Sequence, residues 1–373
     1  MASDPTHRPA HHTSASVRLS QEWLQRGLVA CALWPVSLVY GWLWRLRGEL
    51  YRLGWLASTK LHVPVVVVGN VVVGGAGKTP TVIALVQHLQ ARGLRPGVVS
   101  RGHGRQGPAV LQVDAQTPST QSGDEPLLIA RHTGVPVFVG HKRVAAAQAL
   151  LAQHPSVNVL VSDDGMQHWA LQRDVTVVVF DERGTGNGWL LPAGLLREPW
   201  PAQPWGSGPL LVLQYDGMAK PIQPATHLGS VYAGSKKLAP YALDATGQRH
   251  PLPQAATHIG AVAGIAQPHK FFGMLHAQGV GLQCTLALPD HAPAAQMAQS
   301  LQAAQQQYPH ITHWLCTEKD AVKLWEFPPS ALMPTPWAVP LVAELPADLC
   351  QAVDAALSSP PWTPNSSNCS CAP

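Results

Sequence analysis

The sequence predicts an α/β protein of two lobes, led by an apolar N-terminal helix. Three observations carry this. Apolar, β-branched runs alternate with helical stretches from Val63 to Trp325, the pattern of parallel sheets covered by helices. A Pro- and Gly-rich segment divides that alternation into two sets. A glycine-rich turn ending in Lys-Thr follows the first strand, as in phosphate-binding loops. The 373 residues suffice for about two domains. With 46% hydrophobic and only 12% charged residues, the chain is not an extended, disordered one. Six cysteines without a C-x-x-C pair exclude a disulfide scaffold or zinc ribbon and fit a reducing compartment. A net charge of +4 gives no ground for a nucleic-acid partner, and none is expected.

In chain order, residues 1–20 are rich in Ser, Thr, His and Pro and read as a disordered lead-in. Gly27 to Trp44 is an uncharged run between Arg26 and Arg45. As a helix it reaches about 27 Å at about 1.5 Å per residue, close to the hydrocarbon thickness of a bilayer. Trp34, Tyr40, Trp42 and Trp44 suit an interfacial belt, and Arg45, Arg47, Arg52 and Lys60 follow as a basic stretch. A membrane-embedded helix is the expectation, with the large part of the chain on the cytoplasmic side. A surface amphipathic helix is the alternative, and whether the helix spans or lies in the membrane stays open. A cleaved signal peptide fits less well, because the lead-in is long and no A-x-A site follows.

Strands are expected at Val63–Val68, Gly97–Val99, Val135–Val139, Val157–Val161 and Val175–Phe180, with helices over Lys78–Ala91, Glu125–Arg131 and Arg143–Gln153. The Pro- and Gly-rich stretch holds short strands such as Leu210–Leu213, and after it a second set runs His258–Gly264, Pro268–Ala277, Leu282–Leu288, Pro293–Gln306, His313–Cys316 and Lys319–Trp325, strand and helix in turn. The chain therefore divides into a lead-in (1–20), an anchor helix with its basic stretch (21–57), a P-loop nucleotide-binding lobe (58–200), a hinge region (201–257), a second α/β lobe (258–357) and a disordered tail (358–373). The cleft between the lobes is the default site.

Gly74, Gly75, Ala76, Gly77, Lys78 and Thr79 form the candidate phosphate loop. Glycines let backbone N–H groups turn toward phosphate oxygens, and the following helix N-terminus favours anions. Lys78 can reach the β/γ-phosphates of a nucleotide, and the Thr79 hydroxyl can ligate Mg²⁺. The position that usually carries the first glycine of this motif is Val72. Asp163 and Asp164, at the end of a strand, suit a metal bound to phosphate oxygens, or simply form an Asp-Gly turn with Gly165. Asp124 and Glu125 open a helix, where an Asp N-cap would explain them as well. His291 follows a second-lobe strand, where a histidine is more often structural.

These segments together resemble one family. VVGNVVVGGAGKTP (67–80), SRGHGR (100–105), GDEP (123–126), SDDGMQH (162–168), GNGWLLPAGLLREP (186–199), LPDH (288–291) and TEKDAVKL (317–324) are similar to the tetraacyldisaccharide 4′-kinases, the lipid A 4′-kinases of Gram-negative bacteria. That family's loop also lacks the first glycine. The resemblance implies two α/β/α lobes of P-loop NTPase type joined by a β-strand hinge, with an N-terminal membrane helix. It implies transfer of phosphate from ATP, with Mg²⁺, to the 4′-hydroxyl of a tetraacylated glucosamine disaccharide 1-phosphate at the bacterial inner membrane. Residue by residue, it implies catalytic roles for Asp124, His291 and Lys78, with Asp124 and His291 as a base dyad. Thr79, Glu125, Asp163 and Asp164 match metal positions, and Gln167, His168 and Arg197 match positions around the acceptor. His103 and Trp189 depart from the residues common at their places. The alternative is another membrane-tethered P-loop NTPase acting as a switch or adaptor. An N-K-x-D guanine motif is missing from the sequence, and Glu318-Lys319-Asp320 resembles it only superficially.

Overall fold

The computed structural model describes residues 23–202, 208–215, 222, 230–253, 258–290, 292–328, 332 and 334–358. Its strands are β1 (Val65–Gly69), β2 (Pro96–Ser100), β3 (Leu111–Val113), β4 (Val137–Val139), β5 (Val159–Asp163), β6 (Val175–Phe180), β7 (Leu210–Tyr215), β8 (Val231–Leu238), β9 (Tyr241–Leu243), β10 (Arg249–Pro251), β11 (Ile259–Ala263), β12 (Leu282–Ala287), β13 (His313–Thr317), β14 (Trp337–Val339) and β15 (Leu341–Glu344). Its helices are α1 (Leu28–Arg52), α2 (Lys78–Ala91), α3 (Ser119–Ser122), α4 (Asp124–Thr133), α5 (Arg143–Gln153), α6 (Pro268–Ala277), α7 (Ala294–Gln307), α8 (Glu318–Leu324) and α9 (Ala347–Ser358).

A nine-stranded sheet has the order β15-β8-β7-β6-β1-β5-β2-β4-β3. It is parallel from β8 to β4, and only the edge strands β15 and β3 run antiparallel. The unbroken valine run of β1 is explained by this place: flanked by β5 and β6 and covered on both faces, it has no solvent side on which to alternate. Val68 lies opposite Asp163. The exits of β1 and β5 are therefore neighbours, at the carboxyl ends of the strands where open α/β sheets bind their ligands.

A six-stranded sheet, β10-β9-β14-β13-β11-β12, forms the second lobe. Trp314 on β13 is fully buried over Gly260 of β11, where an added Cβ would come within 2.4 Å of its ring. The chain passes from the first sheet to the second at Ala239–Pro240 and returns at Pro340. The Ala239 N–H donates to the Pro340 carbonyl at 2.8 Å, so these two crossings form one two-stranded connection.

This layout apportions the chain differently from boundaries drawn on composition. Within 201–257, β7 and β8 are strands of the first sheet, and β9 and β10 belong to the second. Leu210–Leu213 is buried on both faces and needs an interior position. Residues 341–358 return to the first lobe: β15 pairs with β8, and Leu349 and Val353 of α9 enter the core formed with Val82, Leu85 and Val86 of α2. Asp354 pairs with His88 at 3.0 Å and Arg92 at 3.2 Å.

The N-terminal helix lies lengthwise on the first lobe. Ala30, Ser37, Gly41 and Gly48 are its buried residues, spaced seven, four and seven apart, so they share one face. Small residues let the helix come close: a Cβ on Gly41 would stand 2.9 Å from Leu190, and one on Gly48 would stand 3.5 Å from Trp169. The opposite face exposes Leu28, Val29, Val36, Val39, Leu43 and Leu46.

The return of α9 makes a direct prediction. Leu349→Ala, more than 300 residues from the start of the chain, should destabilise the nucleotide lobe by about 2–4 kcal/mol through cavity formation. Urea denaturation followed by a first-lobe probe measures this; a loss confined to the second lobe would contradict the packing.

Candidate active site

β1 ends at Gly69, where a Cβ would stand 2.7 Å from Met166, and the buried Asn70 begins the loop. Gly74 and Gly77 have φ of 90° and 88°, left-handed values that glycine adopts without cost. Gly77 caps α2, so the first amides of that helix face the loop's concavity. Val72 is fully buried, bridges to Leu196, and its neighbour Val73 donates to the Leu195 carbonyl at 3.0 Å. An apolar residue replaces the usual glycine because this side of the loop is packed against residues 190–197. The Lys78 ammonium sits 3.3 Å from Asn70 Oδ1 and 3.7 Å from Asp164 Oδ1. Thr79 is buried beside it in the chain.

Asp163 is the last residue of β5 and Asp164 turns away with φ 46°. A close turn is enforced at Gly165, where a Cβ would stand 2.5 Å from Ser162 Oγ. Ser100 Oγ donates to Asp163 Oδ2 at 2.9 Å, while buried Asp163 Oδ1 accepts no hydrogen bond from the described residues. Burial, with Glu125 and Asp164 nearby, pushes the Asp163 carboxyl up to about 7. Against the upward push of burial, Lys78, Arg197 and Arg143 hold Asp164 down at about 2. An unpartnered buried carboxylate oxygen with a second acid close by fits a hard cation. Among the described residues no three His, Cys, Asp or Glu side chains converge into a metal cage. The set suits Mg²⁺, which takes one or two carboxylates and completes its shell with phosphate and water.

Arg197 binds Asp164 Oδ1 at 3.0 Å and the Asn70 carbonyl at 2.9 Å, and also donates to Asn70 Oδ1. Gln167 Nε2 reaches the same Asn70 carbonyl at 3.0 Å and Glu198 Oε1 at 3.2 Å. Asn70 thus joins Lys78, Arg197 and Gln167. Burial pushes the Glu198 carboxyl up to about 7, against the pull of Gln167, Arg173 and Arg197. His168 is held well below its usual value, at about 4, by burial and by Arg143, Arg173, Arg47 and Arg101. It is a neutral ring in a strongly cationic pocket, and Arg101 is the exposed member of that group. Two further cations stand over the P-loop. A Cβ on Gly77 would meet Lys236 Nζ at 2.9 Å, and one on Gly74 would meet Arg183 Nη1 at 3.1 Å. Lys236 also lies 4.4 Å over the Tyr215 ring.

Asp124 and Glu125 begin α4, which packs on α8 of the second lobe; Val322 of α8 enters the first-lobe core. Lys323, itself buried, holds Asp124 Oδ2 at 2.9 Å, and Lys319 stands 3.7 Å from Glu125. His291 lies outside the described residues. Its neighbours are held by the same lysines: Lys319 stands 3.4 Å from Asp290, and Lys323 donates to the Ala292 carbonyl at 3.3 Å.

Lys78, Asp164, Gln167 and Arg197 are thus brought into one network through Asn70, and Asp163 adjoins it at the end of β5. Asn70, Glu198, Arg143, Arg183 and Lys236 belong to the same surroundings and were not singled out from sequence. Asn70 carried a signal, being the first residue after the buried strand β1. Lys236, within β8, carried none.

Comparison with known proteins gives one result. The family model for LpxK, tetraacyldisaccharide-1-P 4′-kinase, matches residues 29–358. The chain is 46% identical over 359 residues to the tetraacyldisaccharide 4′-kinase of Acidovorax sp. (strain JS42), covering 94% of this chain and 97% of the relative. It is 51% identical over 311 residues to that of Polaromonas naphthalenivorans (strain CJ2), covering 83% and 86%. A crystal structure of LpxK from Aquifex aeolicus in complex with ATP overlays with a TM-score of 0.70 at 24% identity, across 88% of this chain and 100% of that one, and shares the fold.

The raised Glu198 carboxyl sets a pH dependence. Its folded value, about 7, exceeds its ordinary 4.5. Its contribution to stability is therefore complete below pH 4.5 and is lost as pH rises through about 7. Glu198→Gln should remove this slope and leave the variant more stable than the parent at pH 8, by up to about 3 kcal/mol. Urea titrations from pH 4.5 to 8 read the difference; parallel curves would contradict it.

Proposed function

The chain belongs to the tetraacyldisaccharide-1-P 4′-kinase family, and from that premise we propose how its residues carry the reaction. The protein is an ATP-dependent kinase of lipid A biosynthesis, phosphorylating the 4′-hydroxyl of a tetraacylated glucosamine disaccharide 1-phosphate. Family membership favours this over a tethered switch or adaptor. The observation that carries the assignment of roles is the convergence of Lys78 and Arg197 on both Asn70 and Asp164 beside a left-handed glycine loop.

The amides of residues 75–79 and Lys78 bind the β- and γ-phosphates, with Lys236 and Arg183 adding positive charge above the loop. Asp163, with its unpartnered oxygen, and Thr79, joined by one of Glu125 or Asp164, would hold Mg²⁺, which when bound would neutralise phosphate charge. Asp124 takes the proton of the 4′-hydroxyl as its oxygen bonds to the γ-phosphorus and ADP departs. Lys323 fixes that carboxylate from the opposite lobe, so the base is positioned when the lobes meet. His291 partners Asp124, a reading supported by the anchoring of Asp290 and Ala292 at Lys319 and Lys323. The cationic pocket around His168 matches an acceptor that carries a phosphate of its own, with Gln167, His168 and Arg197 on the acceptor side.

The exposed face of α1 gives the protein its membrane contact. A helix tied along its length to a folded lobe cannot cross a bilayer while it stays docked. Its apolar outer face and flanking arginines suit a helix lying in the interface, at the inner membrane and on the cytoplasmic side, where ATP is supplied.

Incubation with ATP, Mg²⁺ and the tetraacyldisaccharide 1-phosphate should add the mass of one phosphate to the lipid. Lys78→Ala should cut turnover on the order of 10²-fold or more; a folded Lys78→Ala protein with parental turnover would overturn the P-loop assignment. Separately, Val39→Glu with Leu43→Glu should abolish flotation with lipid vesicles and leave the melting temperature unchanged. Persisting flotation would rule out this face as the membrane contact.

A further inference from the structure

The inner face of α1 is built into the active site. The Tyr40 hydroxyl donates to the Arg197 carbonyl at 2.6 Å, and Arg47 Nη2 donates to the Gln167 carbonyl at 3.0 Å. The two donors are seven residues apart, two turns on one helix face. Arg47 is fixed further by aromatic rings, its guanidinium lying 5.0 Å over Trp169, 5.6 Å over Trp44 and 5.7 Å over Tyr51.

Arg197 and Gln167 are also the residues whose side chains meet at Asn70. Each is thus gripped by its carbonyl from α1 while its side chain holds the P-loop exit, and Asn70 in turn receives Lys78. The segment carrying Arg197 has no regular strand or helix of its own between Asn187 and Pro199. Its shape is imposed from outside: Arg26 binds the Asn187 carbonyl, Ser37 the Leu190 carbonyl and Trp23 the Pro192 carbonyl. The other side of the same segment pairs with Val71 and Val73 of the phosphate loop. It is a single layer between the membrane helix and the nucleotide site.

We propose that Tyr40 and Arg47 are positioning residues for phosphoryl transfer: through the carbonyls of Arg197 and Gln167, the membrane helix sets the side chains that hold Asn70 and Asp164, the two partners of Lys78. This rests on the reading of Arg197 as a residue of the active site. The helix therefore does more than tether. Its outer face meets lipid and its inner face fixes the loop that carries Arg197.

The test uses the full-length protein in lipid vesicles, with Tyr40→Phe, Arg197→Lys and the double variant. Turnover per folded molecule, KM for ATP, vesicle flotation and melting temperature are measured for each. Tyr40→Phe removes one hydroxyl and should lower kcat on the order of tenfold, the scale of one lost hydrogen bond, with flotation unchanged. If the hydroxyl acts through Arg197, the double variant should be scarcely slower than Arg197→Lys alone. A folded, vesicle-bound Tyr40→Phe protein with parental kcat overturns the inference, and so do losses that multiply in the double variant. A Tyr40→Phe protein that loses only melting temperature shows a structural role and overturns it too. Parental turnover in Arg197→Lys and in a further Arg197→Ala variant removes Arg197 from the site altogether; slow Arg197 variants beside a fast Tyr40→Phe leave the site standing and overturn only the coupling.

Discussion

The site depends on a register: Val68 opposite Asp163 in two adjacent parallel strands. That pairing sets the phosphate loop and the acidic turn side by side at the same sheet edge. Everything polar nearby then follows from neutralising what they bring. Lys78 and Asp164, both half-buried, are drawn together, and charges taken partly out of water are held best when their remaining hydrogen-bonding capacity is used. Asn70 supplies that capacity for Lys78, and Arg197 supplies it for Asp164 and Asn70 together. The two carboxylates of the Asp163–Asp164 pair are held in opposite states. Asp164 stays ionised among cations, while burial drives Asp163 toward protonation unless a cation meets its unpartnered oxygen. That donor set would suit the divalent metal proposed for it.

Much of this was legible in the sequence where the signal was local. The strand, glycines and Lys-Thr of residues 65–79 form one continuous stretch, and the Asp-Asp-Gly turn sits where a buried apolar run stops. The family likeness added Arg197 and Gln167, which no local pattern marks. What stayed hidden was long-range. The tail helix α9 reads like any amphipathic helix, and nothing in its periodicity says that it covers the first lobe rather than the second beside which it lies in sequence. The 201–257 segment reads as a hinge region with short strands because Pro and Gly dominate its composition; the strand at Leu210–Leu213 is there, but as part of Leu210–Tyr215 inside the first sheet. In α1, the small-residue seam of Ala30, Ser37, Gly41 and Gly48 is present in the sequence, but an apolar run of that length suggests a spanning helix before it suggests a docked one.

The two lobes are linked by covalent crossings that lie side by side and by a polar contact between helix ends. At the crossings, Ala239 and Pro340 share a hydrogen bond, which leaves a narrow connection about which the lobes can turn. At the contact, Lys323 and Lys319 face Asp124 and Glu125, and His132 binds Glu318 at 2.5 Å. Pairs of this kind gain little net stability, since desolvation offsets the attraction. Their effect is on geometry: a misaligned closure would leave buried lysines and carboxylates unpaired, which is costly. The second lobe therefore has one favourable seat on the first, and that seat brings Lys323 to the proposed base.

A lipid substrate adds a constraint that soluble kinases lack. Acyl chains favour the bilayer by about 0.8 kcal/mol for each buried methylene, so the protein gains nothing by drawing them fully into water. With the membrane contact proposed above, the sugar is phosphorylated at the interface and the catalytic cleft stands at a fixed height above the lipid. A helix joined to the enzyme only by a flexible tether would leave that height undefined. Here the helix is clamped by its inner face to the segment that carries Arg197, through Ser37, Tyr40 and Arg47. Its outer face is left apolar. From the membrane contact proposed for that outer face, the phosphate loop is separated by one helix and one strap of chain, set by packing rather than by a linker.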